Sequence, residues 1–207
     1  MARKPGTNPR KQAKQARSKN TVEAILEATT YILVDDGYDR CTTNKVAEKA
    51  GVSIASVYQY FPSKEALVAA LIDQHLEDVS KVQMNRMLEI GDRPVAEIIG
   101  EMAATHVQMH AANYKLDRAI LEQVPGVERL KAVVAFRRQT EEQLALLLEA
   151  NREEFHLTDP AMTAFVLVNM IDGLKQACVL DRAEYLNDPK FLDEIRGLVK
   201  RYLNHGN

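Results

Sequence analysis

The sequence predicts an all-α protein of about nine helices. Two observations carry that expectation. Apolar residues recur at i, i+3, i+4 and i+7 through almost every segment, while few β-branched residues alternate as a half-buried strand requires. Helix-ending glycines and Asp-Pro pairs punctuate the chain at short intervals, as in a compact helical fold.

The first helix is placed at Thr21–Asp36, where Val22, Ile25, Leu26, Thr29, Ile32 and Leu33 form one stripe. Gly37 closes it, because a left-handed cap costs glycine least, and Tyr38 can fold back on the last turn. Short helices follow at about Thr43–Ala50 and Ile54–Tyr60, and a long one opens at Ser63. Gly-Asp-Arg-Pro at 91–94 breaks it, with Pro94 suited to the first turn of the next helix. Val95, Ile98, Ile99, Met102, His106 and Met109 continue the apolar face. A short helix carries Leu116, Ile120 and Leu121 and ends at Pro125-Gly126. Leu130, Val133, Val134, Phe136, Leu144, Leu147 and Leu148 mark another long helix, to about Glu154. Asp159-Pro160 starts the next, to about Arg182, and Asp188-Pro189 starts the last. In both an Asp cap precedes a proline at the first helical position.

With 46% hydrophobic and 27% charged residues, the chain reads as a globular protein with a sizeable core. No apolar run approaching about 18 residues is apparent, so no membrane span is expected, and no apolar segment follows the basic N-terminus as in a signal peptide. A cytoplasmic location is the simplest expectation. Cys41 and Cys178 form no metal-ligand spacing and are expected to be reduced thiols. The net charge of -2 conceals an asymmetry: Arg3, Lys4, Arg10, Lys11, Lys14, Arg17 and Lys19 precede Asn20 without one acid. Residues 1–19 are therefore expected to be a basic, flexible arm, either a solvated tail or a contact to nucleic acid.

The most informative stretch runs from Thr42 to Phe61 and reads as a helix-turn-helix. Val46, Ala47 and Ala50 give a small apolar face, Gly51 the sharp turn and Ser53 a cap for the second helix. Val57 and Phe61 point inward. Ile54, Ala55, Ser56, Tyr58 and Gln59 occupy the other face, which no local core explains. Hydroxyls and amides there suit base edges in a major groove, and Ile54 suits a thymine methyl.

Here the sequence resembles the TetR family. Thr42, Val46, Ala47, Ala50, Gly51, Val52, Ser53, Tyr58, Tyr60, Phe61, Lys64 and Leu67 stand where that family's N-terminal pattern has them. The likeness covers about the first third of the chain. It implies a three-helix DNA-binding domain at residues 20–65 and a larger ligand-binding and dimerisation domain at 66–207. It also implies a transcriptional regulator, a repressor by family habit, that leaves its operator when a small molecule binds. Phosphate contacts would fall to Thr42, Tyr60 and Lys64, and groove contacts to Thr43, Asn44, Ile54, Ala55, Ser56, Tyr58 and Gln59. One departure is Lys45, standing where many members carry an acid that completes a capping box. A cation there is unfavourable for the helix dipole, and it is either kept for DNA or tolerated.

The resemblance implies a homodimer through the last two helices, at Pro160–Arg182 and Pro189–His205. The first is apolar over more of its circumference than one core face uses. It further implies an effector pocket, for which Met102, His106, Met109, His110, Tyr114, Phe136, Arg137, Phe165 and Asn169 are the candidates. Methionines and aromatics suit apolar or planar ligands, although each alone also fits ordinary core. His106 and His110 could share a helix face as metal ligands do, but no acid or cysteine nearby in sequence completes a set, so no metal or cofactor is expected. No GxSxG, HExxH or phosphate-cradling loop supports an enzyme.

Overall fold

A computed structural model describes residues 10–90, 93–124 and 126–204. Among the described residues there are ten α-helices, one 3₁₀ turn and no strand. The helices gather into two compact units, one ending at Leu71 and the other beginning at Ile72.

The first unit holds α1 (Arg10–Asp35), α2 (Thr43–Ala50), α3 (Ile54–Tyr60) and the start of α4 (Lys64–Ile90). Ile25, Leu33, Val46, Val57, Leu67 and Val68 are fully buried and make its core. Local chemistry sets each boundary. Gly37, at φ 86°, ends α1 with its N–H on the Ile32 carbonyl at 3.1 Å. Thr42 caps α2 by accepting the Lys45 N–H, and Gly51 closes that helix at φ 66°. Ser53 Oγ accepts the Ser56 N–H at 3.1 Å to open α3, and Ser63 does the same for Ala66 in α4. α1 begins well before the expected Thr21. The residues from Arg10 to Lys19, part of the expected arm, are helical, and Ala13, Ala16 and the neighbouring Gln, Lys and Arg residues are strong helix formers. The rest of the expected arm, residues 1–9, lies outside the described residues.

The second unit continues α4 and adds α5 (Val95–Met109), α6 (Tyr114–Gln123), α7 (Gly126–Ala150), α8 (Arg152–Phe155), α9 (Pro160–Asp181) and α10 (Pro189–Asn204). The breaker residues at 91–92 and Pro125 lie outside the described residues, and Pro94 stands one place before α5. α5 packs on α10 and α7 on α9. The α5–α10 approach is close at Gly100, where a Cβ would lie 3.3 Å from the Arg196 carbonyl oxygen. Arg196 Nε also donates to Glu101 Oε2 at 2.6 Å. The helix expected to run to Glu154 stops at Ala150. Asn151 takes φ -120°, its amide returns to the Leu147 carbonyl at 2.8 Å, and the short α8 ends at His156 in the left-handed region. Asp159 caps α9 through the Met162 N–H at 2.9 Å, with Pro160 in its first turn.

One further expectation changes. α9 is by length and composition apolar enough to cross a membrane, with a mean hydropathy of 1.3 over its best window. It carries the Asp172–Lys175 ion pair at 2.5 Å mid-helix, and it packs on α5, α6 and α7. On α10, Leu192, Ile195, Val199 and Leu203 are buried in the core, Leu198 and Tyr202 are half-buried, and His205 lies outside the described residues. The outward apolar stripe belongs to α9, where Met162, Phe165, Ala177 and Leu180 are exposed beside Gly173.

Candidate nucleic-acid interface and effector cavity

α2 and α3 form a helix-turn-helix whose two sides differ sharply. Val46 and Val57 are fully buried, Ala47 and Phe61 nearly so. On the other side Tyr58 is 52% exposed and Ile54 38%, flanked by exposed Ala55 and Gln59 and half-buried Ser56. Thr42, Asn44 and Lys45 at the start of α2 are exposed and Thr43 half-buried. The hydroxyls of Thr43 and Tyr58 hydrogen-bond at 3.2 Å, which links the entry of α2 to the outward face of α3. Lys45 Nζ donates to Asp36 Oδ2 at 3.1 Å, so the cation that is awkward for the α2 dipole is met by a carboxylate.

Two of the residues expected at phosphates are already engaged. The Tyr60 hydroxyl hydrogen-bonds Ser18 Oγ at 2.9 Å. Lys64 Nζ lies 3.9 Å from the Tyr38 ring centroid and donates to the Tyr38 carbonyl at 3.3 Å, at the first residue of α4. That position couples a fixed cation to the positive end of a helix dipole, an arrangement suited to an anion.

The second unit contains a partly open cavity of about 570 Å³, within the range of small-molecule sites. Of the residues expected there, Met102, His106, His110, Phe136 and Arg137 line it. Met109, Tyr114, Phe165 and Asn169 do not. Met109 is the last residue of α5, Tyr114 packs against the hydrophobic core, Phe165 is 56% exposed, and Asn169 is turned to the Glu141 carboxylate and the Phe165 carbonyl. The apolar wall comes from α4, α5, α6, α7 and α9, through residues such as Ile72, Ile99, Ile120, Leu144 and Ile171.

Its polar end is a cluster that the sequence did not reveal. Asp117 Oδ1 lies 2.8 Å from His75 Nε2, and Oδ2 lies 2.8 Å from His110 Nδ1. Burial pushes the Asp117 carboxyl up, but the bonds from His110 and His75 outweigh it and hold it well below the usual carboxylate range. Burial, Lys175 and His110 push His106 down to about 3, so its imidazole is neutral. Its Nδ1 pairs with the Gln83 amide at 3.0 Å. Burial raises the Asp172 carboxyl, but Lys175, His106 and Gln176 together bring it below its ordinary value. Burial also raises both thiols, Cys41 and Cys178, which are free.

His75, His110 and Asp117 also present ligand atoms within 4.8 Å of one another, a spacing that can hold a metal ion. Asp117 thus supplies the acid that the sequence alone did not place beside His110, while His106 stands outside that trio. The carboxylate is an acceptor only, so the two ring nitrogens facing it carry hydrogen, and a metal would have to displace both.

Comparison with known proteins decides the family. Residues 25–71 match the family model of bacterial regulatory proteins of the tetR family, and residues 94–203 match the tetracyclin repressor-like C-terminal domain. The chain belongs to the TetR family. TetR-family proteins are DNA-binding transcriptional regulators. Among curated relatives, the uncharacterized HTH-type transcriptional regulator YvkB of Bacillus subtilis is 46% identical over 55 residues, 27% of this chain and 29% of that protein. The A-factor receptor protein of Streptomyces griseus is 32% identical over 77 residues, 37% of this chain and 28% of that one. These matches span under a third of either relative. The likeness in fold is far longer. The fatty acid degradation regulator FadR of Bacillus halodurans superposes with a TM-score of 0.71 over 96% of this chain and 97% of its own, at 19% identity. NalD of Pseudomonas aeruginosa does so with a TM-score of 0.72 over 89% and 96%, also at 19% identity.

Within this TetR-family fold, His75 and Asp117 were the residues that sequence reasoning missed. They lie 42 positions apart on α4 and α6. Neither has a neighbour in sequence that marks it, so only the packing of three helices brings them to His110.

Proposed function

We propose that this TetR-family chain is a cytoplasmic repressor that binds its operator as a homodimer and leaves it when a small molecule occupies the 570 Å³ cavity. In this reading residues 20–65 read DNA and residues 66–207 bind effector and dimerise. The observation that carries it is the two-sided α3. Val57 and Phe61 are consumed by the core, whereas Ile54, Tyr58 and Gln59 are exposed on the opposite side of α3. Thr43, Asn44, Ala55 and Ser56 complete the groove contacts, and Thr42, Lys45, Tyr60 and Lys64 meet the backbone.

The exposed α9 stripe around Phe165 and Gly173 supports a two-fold interface, because a repeated apolar face with small residues lets two copies approach. α10 contributes its half-buried edge at Leu198 and Tyr202. A dimer must place its two reading heads about 34–36 Å apart on successive major grooves. α4 begins beside the reading head at Lys64 and lines the cavity from Ile72 to Met84. An effector that favours a different setting of α4 therefore alters that spacing, provided it binds the released state more tightly. Proteins of similar fold fit such a switch: NalD is a secondary repressor of a multidrug efflux pump, and a FadR from Bacillus subtilis was solved with stearoyl-CoA.

Operator selection from random duplexes followed by titration tests the reading. Tyr58→Ala should weaken the selected operator by about 1–3 kcal/mol and spare random DNA. Lys64→Ala should weaken all sequences alike and flatten the salt slope by about one unit. Wild-type affinity in both variants would refute the groove assignment.

A further inference from the structure

Three helices bring metal-ligating side chains to one point at the polar end of the cavity. His75 comes from α4, His110 from the C-cap of α5 and Asp117 from the first turn of α6, and all three line the cavity. Each offers a ligand atom within 4.8 Å of the others, with Asp117 Oδ1 2.8 Å from His75 Nε2 and Oδ2 2.8 Å from His110 Nδ1. A divalent ion sits about 2.0–2.2 Å from an imidazole nitrogen or a carboxylate oxygen, which sets neighbouring ligand atoms about 3.0–3.4 Å apart. Both contacts of the carboxylate are already within about half an ångström of that spacing.

Charge and donor type at this point suit a cation. Asp172 is paired with Lys175 and Glu101 with Arg196, whereas the buried Asp117 meets two imidazoles and no lysine or arginine among the described residues. A buried carboxylate is costly without a counter-charge, and a divalent ion supplies one. Each ring must give up the hydrogen that faces Asp117. Nothing among the described residues hydrogen-bonds His110 Nε2, so that nitrogen can hold the ring's hydrogen without another bond being broken. Two imidazoles and one carboxylate select zinc, cobalt, nickel or iron over magnesium and calcium, which prefer oxygen ligands throughout. The partly open cavity gives an ion a way in and leaves its remaining coordination positions to water.

We propose that His75, His110 and Asp117 together bind one divalent transition-metal ion, of the zinc and cobalt class, at the polar end of the cavity. His106, whose Nδ1 is taken by the Gln83 amide, is not part of the site. The site depends neither on what else the cavity holds nor on operator release, so metal binding alone tests it.

Metal-stripped full-length protein is titrated with cobalt(II) and followed by d–d absorption. The spectrum should saturate at one ion per chain at micromolar cobalt and lack the charge-transfer band of a thiolate ligand. It should disappear on addition of zinc(II) but not of excess magnesium. His75→Ala and Asp117→Asn should each weaken zinc binding, read against a competing chelator, by at least about tenfold, since losing even an outer partner of a ligand costs about 10–100-fold. His156→Asn removes an exposed imidazole outside the cavity lining and should bind as wild type does. The cobalt spectrum of wild type needs no variant and stands even if His75→Ala or Asp117→Asn fails to fold. No binding at micromolar ion, a thiolate band, displacement by magnesium, or unchanged affinity in folded His75→Ala would each overturn the proposal. A loss in His156→Asn as large as in His75→Ala would overturn it too, by marking adventitious binding at the surface.

Discussion

Replacing Asp117 by asparagine removes the hub of the polar cluster with almost no change in shape. The carboxylate accepts two hydrogen bonds at 2.8 Å from rings that are themselves 12% and 5% exposed at the side chain. Asparagine offers one acceptor oxygen and turns an N–H toward the other imidazole. The variant keeps one bond, now neutral, and loses the other. A buried hydrogen bond to a charged group contributes about 1.5–3 kcal/mol, so Asp117→Asn should destabilise the fold by about 2 kcal/mol. For a chain of this length that is roughly 4–8 °C in Tm. The acid limb offers a second, independent readout. The folded carboxyl lies below its ordinary value of 3.8, so its contribution is complete above that value and disappears as pH falls below it. Urea unfolding at fixed protein concentration, followed by circular dichroism from neutral pH down to about 3, should show wild type losing stability in that window and the variant losing less. Arg118→Ala, one residue along α6, is the control, because the Arg118–Glu122 pair is 51% and 41% exposed and should contribute less than about 0.5 kcal/mol. Equal midpoints for Asp117→Asn and wild type, or an undiminished acid slope in the variant, would refute this account of the cluster.

Gly100→Ala should cost about 1–2 kcal/mol in a thermal melt, since the new methyl meets the Arg196 backbone at 3.3 Å and must push α5 from α10. Gly51→Ala meets no neighbour within 4 Å yet holds φ at 66°, so it should lose about 1–2 kcal/mol by backbone strain alone, and a loss under a few tenths would count against that conformation. Phe165→Glu on the exposed α9 stripe should shift sedimentation toward monomer and leave monomer helicity intact, and an unchanged assembly state would place the two-fold interface elsewhere.

What the sequence made legible was local. The Asp159-Pro160 cap, the Thr42 and Ser53 caps and the Gly51 turn each lie within about four residues of the backbone groups they satisfy, so spacing alone exposes them. The break at Asn151 was not legible, because the Leu-Leu-Leu-Glu-Ala run before it and the Arg-Glu-Glu run after it both favour helix. The start of α1 was hidden for the opposite reason: a block of seven bases suggested an unstructured arm, while the same residues have high helix propensity. In the cavity, α5 showed its periodicity and so gave Met102 and His106, with His110 four residues on at its C-cap. Phe165 and Asn169 failed as lining residues because α9 is apolar around most of its circumference, and composition cannot then say which side faces inward. Asp117 and His75 needed tertiary packing.

The clamp between Lys64 and Tyr38 joins the exit of α1 to the entry of α4 through a ring and a carbonyl at once. A lysine stem ordinarily surrenders most of its rotational freedom when it settles on an anion, yet here much of that loss occurs when the chain folds. If Lys64 meets a phosphate, as proposed, binding then requires little further ordering at this corner.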